Sequence, residues 1–282
     1  CATRAPTNKD GDAKMLKLEH IFKIFNAGTV NEKKVLIDLS LTVNNGDFVT
    51  VIGSNGAGKS TLQNVISGTI FADSGHVILD NADITYKPEI ERAKYIGRVF
   101  QDPMMGTAPD MWIEENLALA YRRTTRRGLR WGIRDSERKL YREALAELNL
   151  GLENRMQTKV GLLSGGQRQA VTLLMATLRK PKVLLLDEHT AALDPKTAAN
   201  VLSLSNKIVH ENKLTTLMVT HNMQNAIEYG NRLIMMHNGG VILDVGGEEK
   251  KKLTVEALLK KFEQVSGTEF ANDSALLSRR PS

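Results

Sequence analysis

The chain has 282 residues, 41% hydrophobic and 25% charged, with 22 glycines and 7 prolines. That length suits one large core or a core with an inserted subdomain, and the composition excludes collagen-like, disordered and disulfide-stapled architectures. Its 38 lysines and arginines against 32 acids leave a net charge of +6, which favours acidic partners such as nucleotides, anionic lipid or nucleic acid without choosing among them. The single cysteine, Cys1, allows neither an intrachain bridge nor a cysteine metal cluster, so a reducing compartment is expected.

Residues 1–14 are polar and lack the apolar run and cleavage site of a secretory signal, so they read as a tag or leader, with Met15 as the natural start. Met15 opens a hydrophobic alternation through Leu16, Leu18 and Ile21. Residues 48–52 read as a strand, 53–58 as a glycine-rich loop, and 59–67 as a helix stopped at Gly68. From Gln101 to Pro181 the pattern turns to helices and polar loops. Over 136–150, Leu140, Ala144 and Leu148 recur every fourth residue, and a helical subdomain inserted at about 102–180 is expected. Residues 183–186 are short and continuously apolar, the mark of a central parallel strand ending at Asp187, and 217–220 form another, ending at His221. Two runs, 233–237 and 241–245, flank Asn238-Gly239-Gly240 as a tight hairpin. Past residue 250 the sequence predicts an amphipathic helix over 253–262 and a frayed polar end. Strands alternating with helices define an α/β core, and no run approaches the roughly 20 apolar residues that crossing a bilayer requires.

Gly53-Ser54-Asn55-Gly56-Ala57-Gly58-Lys59-Ser60-Thr61 satisfies the P-loop pattern between its strand and its helix. Glycines let backbone N–H groups converge on a polyphosphate, and the helix N-terminus adds partial positive charge. Lys59 is expected to reach the β- and γ-phosphates, and the Ser60 hydroxyl to complete a Mg²⁺ shell with phosphate oxygens and waters. After the strand 183–186, Asp187 is placed to orient the magnesium through its waters. Glu188 is placed to polarise a water for in-line attack on the γ-phosphate.

Between these motifs lies Leu163-Ser164-Gly165-Gly166-Gln167, a glycine pair opening a helix that Pro181 closes off. This pentapeptide resembles the ATP-binding-cassette signature, and from about residue 15 to 250 the chain is similar to the ATPase subunits of ABC transporters, bacterial importers in particular. The resemblance implies a P-loop NTPase (RecA-like) α/β core with an N-terminal antiparallel β subdomain and an inserted α-helical subdomain. It implies ATP and Mg²⁺ as cofactors, and hydrolysis of ATP to ADP and phosphate. It further implies transmembrane permease subunits as partners and a second copy of the chain forming an ATP-sandwich dimer. A substrate-binding protein is a further partner in view, no nucleic acid is expected, and the implied location is the cytoplasmic face of the cell membrane. In the dimer, Ser164, Gly165, Gly166 and Gln167 would reach ATP held by the other copy.

Carried over residue by residue, Gln101 matches the Q-loop glutamine that touches the magnesium and the attacking water. His221 matches the switch histidine at the γ-phosphate, and Asp194 the interface aspartate of the D-loop. Asp194-Pro195 also reads as a plain helix cap. Phe25 lies where the family places a ring that stacks on adenine, with Phe22 as the nearby alternative. One departure is His189, where the family usually has proline after the glutamate; a structural role is expected of it. Six arginines, Arg122, Arg123, Arg126, Arg127, Arg130 and Arg134, surround Trp131 and admit three readings: a solvated face, a surface for anionic headgroups or an acidic partner, or nucleic-acid binding. Rivals to a transport ATPase are a soluble cassette acting as a conformational clamp or switch in repair or translation, and a regulator with slow turnover. Neither cargo nor direction of transport is legible.

Overall fold

The computed structural model describes residues 14–124 and 132–266. The leader up to residue 13, Arg126, Arg127, Arg130, Trp131 and the polar end after residue 266 lie outside these described residues.

The chain begins with a long antiparallel pair, β1 (Lys14–Phe25) and β2 (Lys33–Asn44), then enters β3 (Phe48–Gly53) and helix α1 (Lys59–Ser67). Next come β4 (Ser74–Leu79), β5 (Ala82–Asp83), the short helix α2 (Glu89–Arg92) and β6 (Ile96–Val99). Three helices follow, α3 (Ile113–Tyr121), α4 (Asp135–Ala146) and α5 (Gly165–Thr177). The chain returns through β7 (Val183–Asp187), α6 (Pro195–Asn212), β8 (Thr215–Val219), α7 (Met223–Glu228), β9 (Arg232–His237) and β10 (Gly240–Gly246), and ends in α8 (Gly247–Lys251) and α9 (Val255–Ser266).

Two sheets result. One runs β2-β1-β4-β5 and is antiparallel throughout; the other runs β10-β9-β3-β8-β7-β6, parallel except for the edge strand β10. β3 is buried at all six positions and β8 at all five, because both faces of a parallel sheet are covered. Along β7, Val183 and Leu185 enter the core shared with α1 and the antiparallel sheet. Leu184 and Leu186 enter the opposite core, with Leu202 and Val209 of α6. The period of two thus feeds both layers. Helices α3, α4 and α5 make a core of their own from Ile113, Leu117, Tyr141, Leu145, Val171 and Leu174. Leu258 and Phe262 seat α9 against Ile52, Leu233 and Met235.

The architecture is the expected one, an α/β core with a largely parallel sheet and an antiparallel β layer; some boundaries move. α4 stops at Ala146 rather than 150, since Asn149 at φ 55° and Gly151 at φ 69° turn the chain out of the helix while Leu148 stays in the core. The last helix starts at Val255 rather than 253 and runs on to Ser266, with the Thr254 hydroxyl accepting from the Ala257 N–H at 3.2 Å. The β9–β10 hairpin turns through Asn238 and Gly239, both at positive φ (46° and 79°), as a two-residue loop between right-twisted strands demands.

Candidate functional site

The cradle is built by the turn from β3 into α1. A Cβ at Gly53 would sit 2.3 Å from the Met236 carbonyl oxygen, and one at Gly58 would sit 2.7 Å from that of Val35, so only glycine lets the loop lie this close to β9 and β2. Gly58, at φ 98°, is the N-cap of α1 and brings no side chain to the first-turn N–H groups. Lys59, 5% exposed, bends back so that its Nζ donates to the carbonyls of Gly53 (2.8 Å) and Ser54 (2.9 Å). The ammonium is thereby held over the loop.

A cavity of about 430 Å³ opens on this turn. Its walls include Asn55, Gly56, Ala57, Gly58, Lys59, Ser60 and Thr61, with Phe25, Glu188 and His221 around them. Phe25 stands at the end of the β1–β2 hairpin opposite Lys33, and the Lys23 ammonium lies 5.6 Å from its ring centre. Phe22 is not among the lining residues.

Glu188 follows β7 in the left-handed region (φ 44°), its N–H donating to the Val219 carbonyl at 3.0 Å. That strained turn aims its carboxylate at the cavity. There Glu188 Oε1 lies 2.6 Å from His221 Nε2, with the glutamate side chain 10% exposed. His221 leaves β8 just before Asn222, which caps α7 by accepting from the Asn225 N–H at 2.9 Å.

Asp187 and Gln101 line a second, adjoining cavity of about 640 Å³ together with Asn64 and Arg98. The neighbouring carboxylates Asp187 and Glu188 therefore line different cavities. Burial raises the Asp187 pKa, the Arg98 guanidinium at 3.3 Å pulls it back, and the neighbouring Glu188 charge raises it further. Among the described residues no three histidine, cysteine or acidic side chains cluster around a point. Oxygen donors line both cavities, the Ser60 hydroxyl in the first and the Asp187 carboxylate and Gln101 amide in the second. This all-oxygen, ligand-poor set fits Mg²⁺, which keeps most of its waters and takes phosphate oxygens.

Ser164 and Gln167 lie elsewhere. The Ser164 hydroxyl accepts from the Gln167 N–H at 3.3 Å and the Gln167 amide oxygen accepts from the Ser164 N–H at 3.2 Å, a closed capping box on an exposed helix tip. Gly165 and Gly166 begin α5, and a Cβ at Gly166 would sit 2.2 Å from Thr197 Cγ2, so glycine lets α5 pack against α6. Asp194 caps α6, accepting from the Thr197 N–H at 3.1 Å ahead of Pro195, and those hydrogen bonds lower its pKa. The structure thus joins Ser164–Gln167 with Asp194 on one surface and does not bring them to the cradle of the same chain.

His189 is 2% exposed, with Nε2 2.9 Å from the Ser205 hydroxyl, which itself donates to the Val201 carbonyl at 2.8 Å. The ring is a buried donor, and burial pushes its pKa down to about 4. The structural reading of this position agrees with that geometry. Arg122 and Arg134 meet Glu137, Arg122 through its side chain at 2.6 Å and Arg134 through its backbone N–H at 2.9 Å. Arg123 reaches the Ala176 carbonyl at 3.5 Å.

Sequence reading missed four polar residues, three beside the site and one at the far end of the P-loop helix. Arg98 meets Asp187; Gln63 donates to the Leu186 carbonyl at 3.1 Å; Gln169 donates to the Phe100 carbonyl at 3.1 Å, next to Gln101. Arg92, 1% exposed, donates to four carbonyls at the far end of α1 and beyond, those of Val65, Ile66, Thr85 and Lys87, at 2.7 to 2.8 Å. For Gln63, Arg98 and Gln169 the available signal was an amide or charged side chain among apolar neighbours; Arg92, in the charged run Glu89–Arg92, gave none.

A parallel sheet whose strand runs through a glycine cradle into a helix, with two carboxylates at the end of a nearby strand, defines a P-loop nucleotide-binding protein. A family model described as ABC transporter matches residues 36–191. The chain is 48% identical over 249 residues to a tyrosine transport ATP-binding protein of Clostridioides difficile, covering 88% of this chain and 99% of that one. It is 34% identical over 242 residues to a spermidine/putrescine import ATP-binding protein of Salmonella typhimurium, covering 84% of this chain but 60% of that protein's length. Among solved structures, an ATP-binding cassette of an ABC transporter in its ADP conformation superposes with a TM-score of 0.71 at 32% identity, over 84% of this chain and 92% of that one. A dimeric cassette in a post-hydrolysis state, bound to ADP and Pi, gives 0.70 at 31% identity, over 82% and 98%. The chain belongs to the ABC transporter family, among its nucleotide-binding ATPase subunits.

Proposed function

We propose that the chain hydrolyses ATP to drive import of a small solute, an amino acid by preference, through separate permease subunits. The observation that carries the reading is the meeting of Glu188 and His221, 2.6 Å apart, on the wall of the cavity floored by the P-loop. Polyphosphate lies along the N–H groups of residues 54–61, with Lys59 turning from the Gly53 and Ser54 carbonyls to the β- and γ-phosphates. Phe25 stacks on the adenine. Glu188 accepts a proton from the attacking water, and His221 holds Glu188 in place and reaches the γ-phosphate. Bound Mg²⁺ supplies charge neutralisation at the phosphates, and Ser60, Asp187 and Gln101 are the residues that hold it. No covalent enzyme intermediate forms; electrostatic positioning carries the rate.

Ser164, Gly165, Gly166, Gln167 and Asp194 serve a second copy of the chain, closing on the ATP in its cradle. The exposure of Ser164, Gly165 and Asp194 on one surface, away from their own cradle, supports this arrangement, as does the dimeric form of a similar cassette. The helical segment, about 102–180, passes the closing motion to a permease at the cytoplasmic face of the membrane. Among the described residues no helix is long and apolar enough to cross a membrane. The tyrosine transport protein, at 48% identity, supports an amino acid as cargo.

Glu188→Gln tests the reading. Turnover is expected to fall about 10²- to 10⁴-fold with nucleotide binding retained. An unaltered rate overturns the assignment of Glu188. Mixing Lys59→Ala chains with Ser164→Ala chains tests the shared site: each mixed pair holds at most one intact composite site, and activity independent of pairing would refute it.

A further inference from the structure

Arg98 lies on β6 opposite Leu185 of β7, so its side chain and that of Asp187, two residues further along β7, share one face of the sheet. The Arg98 side chain is 11% exposed. Its Nη2 is 3.3 Å from Asp187 Oδ2, and its Nη1 is 3.3 Å from both the Ser67 and Thr69 hydroxyl oxygens near the end of α1. Its flat face stacks 4.6 Å from the centre of the Phe100 ring, one residue before Gln101. Its Nε is buried without a hydrogen-bond partner. This is a cation fixed between the P-loop helix, the Asp187 strand and the Gln101 loop. Its grip on Asp187 is slack, because a seated guanidinium–carboxylate pair closes to about 2.7–2.9 Å and here one prong stands further off.

Resting on the nucleotide reading above, we propose that Arg98 is a positioning residue that acts through Asp187. It compensates the buried carboxylate while the site holds no divalent cation, and it opposes that cation's arrival, setting how much Mg²⁺ the nucleotide site requires. A buried carboxylate without a countercharge pays heavily for desolvation. The same countercharge repels a divalent ion: at ~6 Å and at the dielectric of bulk water, the repulsion already changes affinity about tenfold. Arg98 therefore trades cation affinity for a carboxylate that is held in place between turnovers.

The test is a Mg²⁺ titration of the binding of a ribose-labelled, non-hydrolysable ATP analogue, read by fluorescence. Arg98→Met keeps an unbranched side chain at this position and removes the charge together with the guanidinium over Phe100. It is expected to lower the half-effective Mg²⁺ concentration about tenfold, while binding in EDTA, with no cation to compete, does not tighten. Arg98→Lys retains the charge and is expected to stay near wild type. An unchanged or higher Mg²⁺ requirement in Arg98→Met overturns the proposal, as does a shift of equal size in Arg98→Lys. Arg98→Gln is the second neutral variant, and whichever of the two melts like wild type decides. Asp187→Asn separates this inference from the reading beneath it. If that variant loses the Mg²⁺ effect while Arg98→Met leaves the midpoint in place, only the role of Arg98 fails. If Mg²⁺ acts equally on Asp187→Asn and wild type, the assignment of Asp187 itself fails.

Discussion

Helices α1 and α5 both open on glycine-bearing turns, but their N-termini are finished differently. α1 starts at Gly58, with no side chain over its first-turn N–H groups, inside a cavity. α5 starts at Ser164, whose hydroxyl closes a capping box with Gln167, out on the surface. A glycine cap forgoes only about a few tenths of a kcal/mol, but it leaves the first-turn N–H groups and the dipole unanswered by any side chain, so a phosphate is the cap that α1 lacks. A self-capped terminus is stable without a ligand, as the proposed meeting of this tip with a second chain requires. The molecule compensates α1 from its other end, where Gly68 takes the left-handed C-cap and Arg92 gathers the carbonyls of Val65 and Ile66.

The contrast breaks most visibly at Lys59. Lys59→Ala removes the cation aimed at the cradle and is expected to lower turnover about 10²- to 10³-fold and to weaken nucleotide binding in a single chain. Ser164→Ala is expected to leave single-chain binding unchanged. Equal losses in titrations of a fluorescent nucleotide would erase the distinction between the two tips.

Next in size is Arg92→Met. It strips four carbonyls of their donor inside the core, and a loss of about 3 kcal/mol is expected from urea unfolding. Burial pushes the Arg92 pKa only down to about 10, so the side chain stays charged at neutral pH and its donors remain in place. A loss below about 1 kcal/mol would mean that α1 is not held from its C-terminal end.

His189 sharpens the comparison on the α5 side, because its bond to Ser205 pins α6, whose start packs on the α5 tip at Gly166. Its pKa is about 4 when folded and about 6.5 when unfolded. The unfolded chain therefore takes up a proton that the buried ring refuses. Stability present above pH 6.5 is lost as the pH falls towards 4, by up to about 3 kcal/mol from this residue alone. His189→Gln should flatten that acid limb in urea titrations run from pH 7 to 4. Hydrogen exchange in the wild type at low pH should rise around α6 and the α5 tip before it rises in α1.

The features legible in the sequence were local ones. The cradle of 53–61 is a contiguous motif whose glycines answer to φ and close approach, and 183–186 announces a central strand because both its faces are apolar. Arg98 was not legible: its partner Asp187 is 89 positions away, and only the β6–β7 register brings the two together. Arg92 sits in a four-residue helix that reads as surface, and its burial depends on how α1 crosses it. The end of α4 at Ala146 was hidden because Leu148 keeps the apolar period while the backbone has already left the helix. His221 had its place at a strand end, but its contact with Glu188 depends on the Glu188 turn at positive φ, which nothing in the Asp187-Glu188-His189 string declares.

Ser164→Ala carries the smallest expected effect on the folded chain, about 1 kcal/mol from the lost cap. That makes it the most discriminating variant, because a cap of this worth cannot account for a large kinetic change. If the hydroxyl does no more than close the box with Gln167, replacement by aspartate, an equally good cap, restores stability and turnover together. If the tip meets the γ-phosphate of a second chain, aspartate restores stability in urea while its negative charge keeps turnover low. Recovery of turnover in step with stability would return α5 to the status of an ordinary capped helix and leave α1 as the one helix N-terminus that a nucleotide needs.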